Sequence, residues 1–300
     1  MMFLDQFRLA IFVSLSLCSI FGSGNVLAWT EVNNCEGTNG VKVPELFSLS
    51  SFSTEQVKTG STSCRLAIAG GSDGWASFGG TMMFPEMLQK GDELWIRLNI
   101  YVPESFDYTA SPALKFMRVH TRTPAGENLG YLDLYFTPDG PTHWNSALGA
   151  QDDSPYYWYY EALPKTQYPG DFEADRIRKG TWESFEIYYK FDDVAVDNGG
   201  TGLIRIWKNN KLLANYTDQV TLYNSETLAD SFFLFTYYNG NAPKDQHLYV
   251  DNIIRTTDQP TNVDSNGYKF IGGDEVIITA SPNPPSSLSV ERLNSGDPLR

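Results

Sequence analysis

The chain has 300 residues, 41% hydrophobic and 14% aromatic, enough for one large β domain or two small ones with a real core. Thirty-six acidic side chains against 22 basic ones leave a formal net charge of −14 and no basic stripe to release counterions. That balance excludes nucleic acid as an expected partner and disfavours anionic membranes, while an acidic polymer still fits a local basic cleft.

Residues 1–28 have the order of a secretory signal. Arg8 supplies the positive charge, Leu9 to Phe21 the apolar core, and Val26-Leu27-Ala28 a small-residue cleavage site. The apolar run is short for a bilayer, so a secreted or periplasmic protein with no membrane span is expected. Removing the signal takes Cys18 with it. Cys35 and Cys64 remain, and in an oxidising compartment they are expected to form one structural disulfide.

From Trp29 to Gly80 the pieces are short: Cys64 to Ala69 alternates apolar and polar, and Gly70-Gly71 and Gly79-Gly80 mark turns. Residues 94–102 form the clearest strand. Leu94, Ile96, Leu98 and Ile100 make its buried face, Trp95, Arg97, Asn99 and Tyr101 the other, and Pro103 ends it. Residues 113–122 and 129–136 alternate in the same way around Thr-Pro-Ala-Gly-Glu-Asn, which predicts a hairpin. Alternation puts Arg118, His120 and Arg122 on one face of its first strand, opposite Met117 and Val119. On the second strand Tyr131, Asp133 and Tyr135 share a face, and Leu132, Leu134 and Phe136 lie opposite. Arg, His, Tyr and Asp gathered in this way are the inventory of an acid–base site; a merely polar sheet face is the alternative.

Residues 137–180 lack clean periodicity and hold Trp144 and the run Tyr156-Tyr157-Trp158-Tyr159-Tyr160. They read as a functional loop offering flat rings to sugars, or as a small satellite core. Strands resume at 182–191, where Phe185, Ile187, Tyr189 and Phe191 oppose Ser184, Glu186, Tyr188 and Lys190. Asn209-Asn210 reads as a hairpin turn, and 231–238 and 247–255 give two more strands. From about Asp258 the composition turns to Pro, Ser, Asn and Asp, so residues 29–258 are taken as the domain and 259–300 as a low-complexity, disordered tail.

Many strands, frequent turns and no helical pattern predict an all-β protein, with antiparallel sheets packed as a β-sandwich. A concave outer face is expected, where Arg97, Arg118, His120, Tyr131, Tyr135, Tyr188 and Lys190 converge. Three isolated histidines without ligand spacing argue against a catalytic metal, while an acidic turn such as Asp192-Asp193 leaves room for a structural Ca²⁺.

The motifs in order are Gly74-Trp75 with Gly79-Gly80 and Phe84-Pro85, then Leu-Trp-Ile-Arg-Leu-Asn-Ile-Tyr-Val-Pro, Ala-Leu-Lys-Phe-Met-Arg-Val and Gly-Thr-Trp-Glu-Ser-Phe-Glu-Ile-Tyr. The Arg-Ile-Trp-Lys-Asn-Asn hairpin and Leu-Tyr-Val-Asp-Asn-Ile complete them. The series, over roughly residues 40–256, resembles the concanavalin A-like jelly rolls, and within them the polysaccharide lyases related to heparin lyase I, glucuronan lyase and alginate lyase. The resemblance implies a concave sheet that holds a uronate-containing chain and cleaves it by β-elimination without a redox cofactor.

Elimination needs a base for the C5 proton and a cation for the adjacent carboxylate, so that negative charge can build up. On that reading Arg118 is the clamp, His120 the base or neutraliser, and Tyr131 or Tyr135 the base and acid. Arg97, Asn99, Tyr188 and Lys190 line the groove. Lys115 is counted with them although parity puts it on the core side, a conflict that one β-bulge would resolve. The partner is then an acidic polysaccharide, and the protein a monomer. The rivals are a lectin-like carbohydrate-binding protein on the same fold and a glycoside hydrolase. The jelly-roll hydrolases carry a Glu-x-Asp-x-x-Glu strand, which this chain lacks, and Glu183 and Glu186 fall on opposite faces.

Overall fold

Period-two alternation resolves into two antiparallel sheets stacked face to face. The computed structural model describes residues 28–47, 49–107, 114–137, 143–149, 178–192, 200–219, 221–222, 226–238 and 240–273. Most of the expected signal (residues 1–28), the Tyr156–Tyr160 run and residues 274–300 lie outside them.

The strands are β1 (Thr30–Asn33), β2 (Ser51–Ser53), β3 (Ser63–Ile68), β4 (Gly74–Trp75), β5 (Gly80–Leu88), β6 (Glu93–Tyr101), β7 (Leu114–Arg122) and β8 (Asn128–Thr137). They continue as β9 (His143–Gly149), β10 (Trp182–Lys190), β11 (Gly202–Lys208), β12 (Lys211–Gln219), β13 (Leu228–Leu234), β14 (Tyr237–Tyr238) and β15 (Gln246–Thr256). An eight-stranded sheet runs β12-β11-β10-β6-β15-β3-β2 with β1 added to β15, and a five-stranded sheet runs β5-β13-β7-β8-β9. The predicted hairpin is β7–β8, with His120 opposite Tyr131. Asn209 and Asn210 both have positive φ, as the tight two-residue turn between β11 and β12 requires. No helix among the described residues is long and apolar enough to cross a membrane.

The main core lies between the sheets. Leu94, Ile96, Leu98 and Ile100 of β6 meet Phe185, Ile187, Tyr189 and Phe191 on one side, and Met117, Val119, Leu132, Leu134 and Phe232 on the other. Phe116 and Met117 are consecutive and both buried in this core, because the β7–β8 register slips between Lys115 and Met117. That bulge moves Lys115 off the core side and leaves it partly exposed, resolving the conflict of parity.

Two expectations are corrected here. The outer face of the eight-stranded sheet is not solvated throughout, because residues 257–273 fold back across part of it. Phe270 and Ile271 pack on Trp95, Tyr188, Trp207 and Ile254 as a second, smaller core. Trp95 Nε1 donates to the Lys269 carbonyl and Trp207 Nε1 to Asp264. The domain therefore extends to at least Gly273, and the residues from 259 to 273 are a packed strap rather than the start of a disordered tail. A few apolar side chains in a polar segment are enough, since each aromatic ring buries a large area.

Cys35 and Cys64 are bonded, with their Cα atoms 5.1 Å apart and 29 residues of separation. The bond is of the kind that persists in oxidising compartments. Replacing both cysteines by serine is expected to cost about 3–4 kcal/mol on the loop-entropy estimate, read as a lower urea midpoint with unchanged slope. An unchanged midpoint would mean that the loop is fixed by its other contacts.

Candidate active site

The residues expected to share one trough divide between the two sheets. Arg97 and Asn99 on β6 and Tyr188 and Lys190 on β10 face outward from the eight-stranded sheet, on the far side of the sandwich from β7 and β8. There Tyr188 packs beneath the strap and is buried, as are Arg97 and Asn99, while Lys190 stays partly exposed. Tyr188 packs against Trp95 with tilted rings 4.8 Å apart, and burial pushes its phenol well above the ordinary tyrosine range. These four cannot line a groove with His120. Alternation separates inside from outside but does not say which sheet a strand joins.

Arg118, His120 and Tyr131 do come together, on the outer face of the five-stranded sheet. β13 adds what the sequence reading missed. Its register against β7 slips between Ala229 and Ser231, so Asp230 is the extra residue of a bulge and turns toward β7. Its carboxylate accepts from His120 Nδ1 at 2.7 Å and from the Ser231 hydroxyl at 2.6 Å, and pairs with Arg122 Nε at 3.1 Å. Burial works to raise this carboxyl, but the hydrogen bonds from His120 and Ser231 and the charges of His120 and Arg122 outweigh it and hold it below the usual carboxylate range. Asp230 is 4% exposed, His120 14% and Arg122 24%, so the cluster opens outward through the imidazole and the second guanidinium.

The other imidazole nitrogen, Nε2, lies 3.1 Å from Asn128 Oδ1. The same oxygen accepts the Gly130 N–H at 2.9 Å, which fixes the amide with its oxygen toward the ring. His120 is therefore held at both ring nitrogens, by Asp230 and by Asn128.

Tyr131 sits beside His120 with ring centroids 5.1 Å apart, and the Arg118 guanidinium lies 3.7 Å above the tyrosine ring. Arg118 also donates to Thr236 Oγ1 at 3.3 Å and is only 3% exposed. It braces Tyr131 from within the sheet surface, and Arg122 is the more accessible guanidinium. Phe233, opposite Arg118 on β13, stacks flat on His120 at 5.4 Å. Lys115 joins this face through the bulge; the side chains of Asp133 and Tyr135 lie outside the described residues.

No family model and no curated protein matches the sequence. Among solved structures, the endo-β-1,4-glucuronan lyase of the fungus Trichoderma reesei aligns with a TM-score of 0.53 and 12% identity, over 76% of this chain and 98% of that one. The fold is that of a jelly-roll polysaccharide lyase. Alginate lyases from Chlorella virus and Aplysia kurodai align at 13% identity with TM-scores of 0.49 and 0.48, over 69% of this chain and 88% and 86% of theirs. At 12% identity the likeness to the glucuronan lyase establishes architecture and leaves chemistry to the side chains.

Within this lyase-like fold two other sequence expectations can be placed. Asp192 accepts from five donors, the Thr201, Gly202, Thr221 and Leu222 amides and the Thr221 hydroxyl, which leaves its carboxylate little capacity for calcium. Asp193 lies outside the described residues. No group of three His, Cys, Asp or Glu suited to a metal occurs among the described residues. The carboxylates of the hydrolase alternative are committed too. Glu183 pairs with buried Lys208 at 2.7 Å, and Glu186 accepts the Ile271 and Gly272 amides.

Proposed function

We propose that this chain is a secreted or periplasmic polysaccharide lyase that cleaves a uronate-containing polysaccharide by β-elimination. What carries the reading is the His120–Asp230–Arg122 cluster with Tyr131 beside it, on the outer face of a sheet in a lyase-like fold. The sugar carboxylate would lie against the His120 imidazolium and the Arg122 guanidinium, both anchored by Asp230. Tyr131, with Arg118 supplying positive charge against its ring, takes the C5 proton. The C5–H electrons form the C4–C5 double bond, the C4–O bond breaks, and the proton passes to the leaving oxygen. The reaction consumes no redox cofactor. Tyr135 remains the other base and acid on β8 by strand position.

The test is to incubate the purified chain with glucuronan, alginate and other polyuronates and to follow the ultraviolet absorbance of the unsaturated product. Activity is expected on at least one of them, with Tyr131→Phe lowering kcat by about 100-fold or more. Full activity in both Tyr131→Phe and His120→Ala would refute this site and keep the class. Reducing ends released without that absorbance would indicate hydrolysis, and binding without product a lectin-like protein.

A further inference from the structure

We infer that Trp75 is the floor of a sugar-stacking subsite that adjoins the His120 cluster and sets how a longer chain is gripped. The inference rests on the lyase reading for its occupant, a polyuronate strand continuing past the bond to be cut.

Trp75 is 50% exposed, unusual for the largest apolar side chain, yet it is not isolated. Its ring lies 5.2 Å from Phe233, and Phe233 is stacked 5.4 Å from His120. Phe47 also meets this indole edge-on at 5.9 Å, yet half of Trp75 stays exposed, so two ring-to-ring steps join a half-exposed indole to the candidate catalytic imidazole. Met83, 58% exposed, stands opposite Ser231 on the neighbouring β5, and Met87 touches Arg122 through its sulfur at 3.3 Å. The exposed apolar surface is thus continuous with the cluster that would hold the carboxylate. An aromatic face beside anchored cations matches one ligand chemistry well: the apolar C–H face of a sugar ring that also carries a carboxylate.

The backbone beneath Trp75 supports the same conclusion independently. β4 and β14 pair Trp75 with Tyr237, and the Ala76 N–H donates to the Thr236 carbonyl at 2.8 Å. Ala76, Phe235 and Thr236 all have positive φ, and for β-branched Thr236 this is a true outlier. Thr236 is also the residue whose hydroxyl receives Arg118. Strain of this kind persists only where the surroundings impose it, and here it locks Trp75 to the strand turn that positions Arg118.

The experiment uses Trp75→Ala and Trp75→Phe in the full chain, with glucuronan and alginate hexasaccharides as probes. Trp75→Ala is expected to raise KM, and to weaken calorimetric binding measured in an Asp230→Asn background, by about tenfold, with kcat within about threefold of wild type. Trp75→Phe should recover most of the binding, which a folding defect would not allow. If Trp75→Ala binds and turns over as wild type does, the subsite is overturned while the lyase reading stands. If no substrate yields unsaturated product but hexasaccharide binding still depends on Trp75, the subsite stands and the lyase reading falls. If neither hexasaccharide binds, the subsite is overturned.

Discussion

Changing Asp230 to asparagine is expected to lower kcat on the preferred polyuronate by at least about 100-fold while KM changes far less. The reason is the number of roles one carboxylate fills. It accepts the His120 Nδ1 proton and the Ser231 hydroxyl and neutralises the Arg122 charge, all at a buried position. The amide keeps one oxygen and loses the charge, so either His120 or Arg122 must face an NH₂ donor. Without that carboxylate the imidazole loses the partner that fixes it in place, and an unanchored group stabilises charge that develops in the transition state less well than it binds a carboxylate already charged in the ground state, so the loss falls on kcat. Circular dichroism and melting should show the fold intact, and Asp230→Glu should restore part of the rate. Because the wild-type carboxyl is held below the usual range, the stability that its ionised form contributes is present above that range and is lost as pH falls through the lowered value. A variant with wild-type kcat would remove Asp230 from the mechanism and leave the cluster as sheet decoration.

Much of this face was legible in the sequence, for a definite reason. Within one hairpin the period of two fixes relative orientation, so Arg118, His120 and Tyr131 had to share a side once β7 paired with β8. The error over Arg97, Asn99, Tyr188 and Lys190 has the same root: their alternation was read correctly, but two sheets each have an outer face. Asp230 escaped because it precedes the apolar run Phe232 to Phe235, and only the bulge turns it toward His120. A register slip leaves no mark on composition. The Lys115 conflict shows the converse, since an apolar pair at Phe116-Met117 out of phase with its strand is a readable sign of a bulge. The strap was hidden by the polar residues around Tyr268, Phe270 and Ile271, too few to form a pattern but enough to cover Trp95 and Trp207.

That strap leads to the second large effect expected, a stability that falls as pH rises from about 4.5 to about 7 and falls less steeply when Glu186 becomes glutamine. Burial under the strap raises the Glu186 carboxyl from the ordinary 4.5 to about 7, against the opposing pull of the Ile271 and Gly272 amides and the Arg97 charge. In that window the folded protein keeps a proton that the unfolded chain has released, so each step up in pH favours unfolding. The full interval corresponds to about 3 kcal/mol, which is lost by neutral pH and does not grow beyond it. Asp251, raised by burial to about 6, adds a slope of the same sign, and so the diagnostic quantity is the difference between wild type and Glu186→Gln rather than either curve alone. Phe270→Ala supplies the cross-check. It should cost about 3 kcal/mol by removing the ring that packs on Trp207, and by admitting water it should also flatten the Glu186 part of the slope. The two substitutions touch one packed unit, so their effects on urea midpoints measured at pH 5 and pH 8 should be less than additive. Parallel pH curves for wild type and Glu186→Gln would mean that the two amides and Arg97 already compensate the buried charge, and that the strap is held by its aromatic contacts alone.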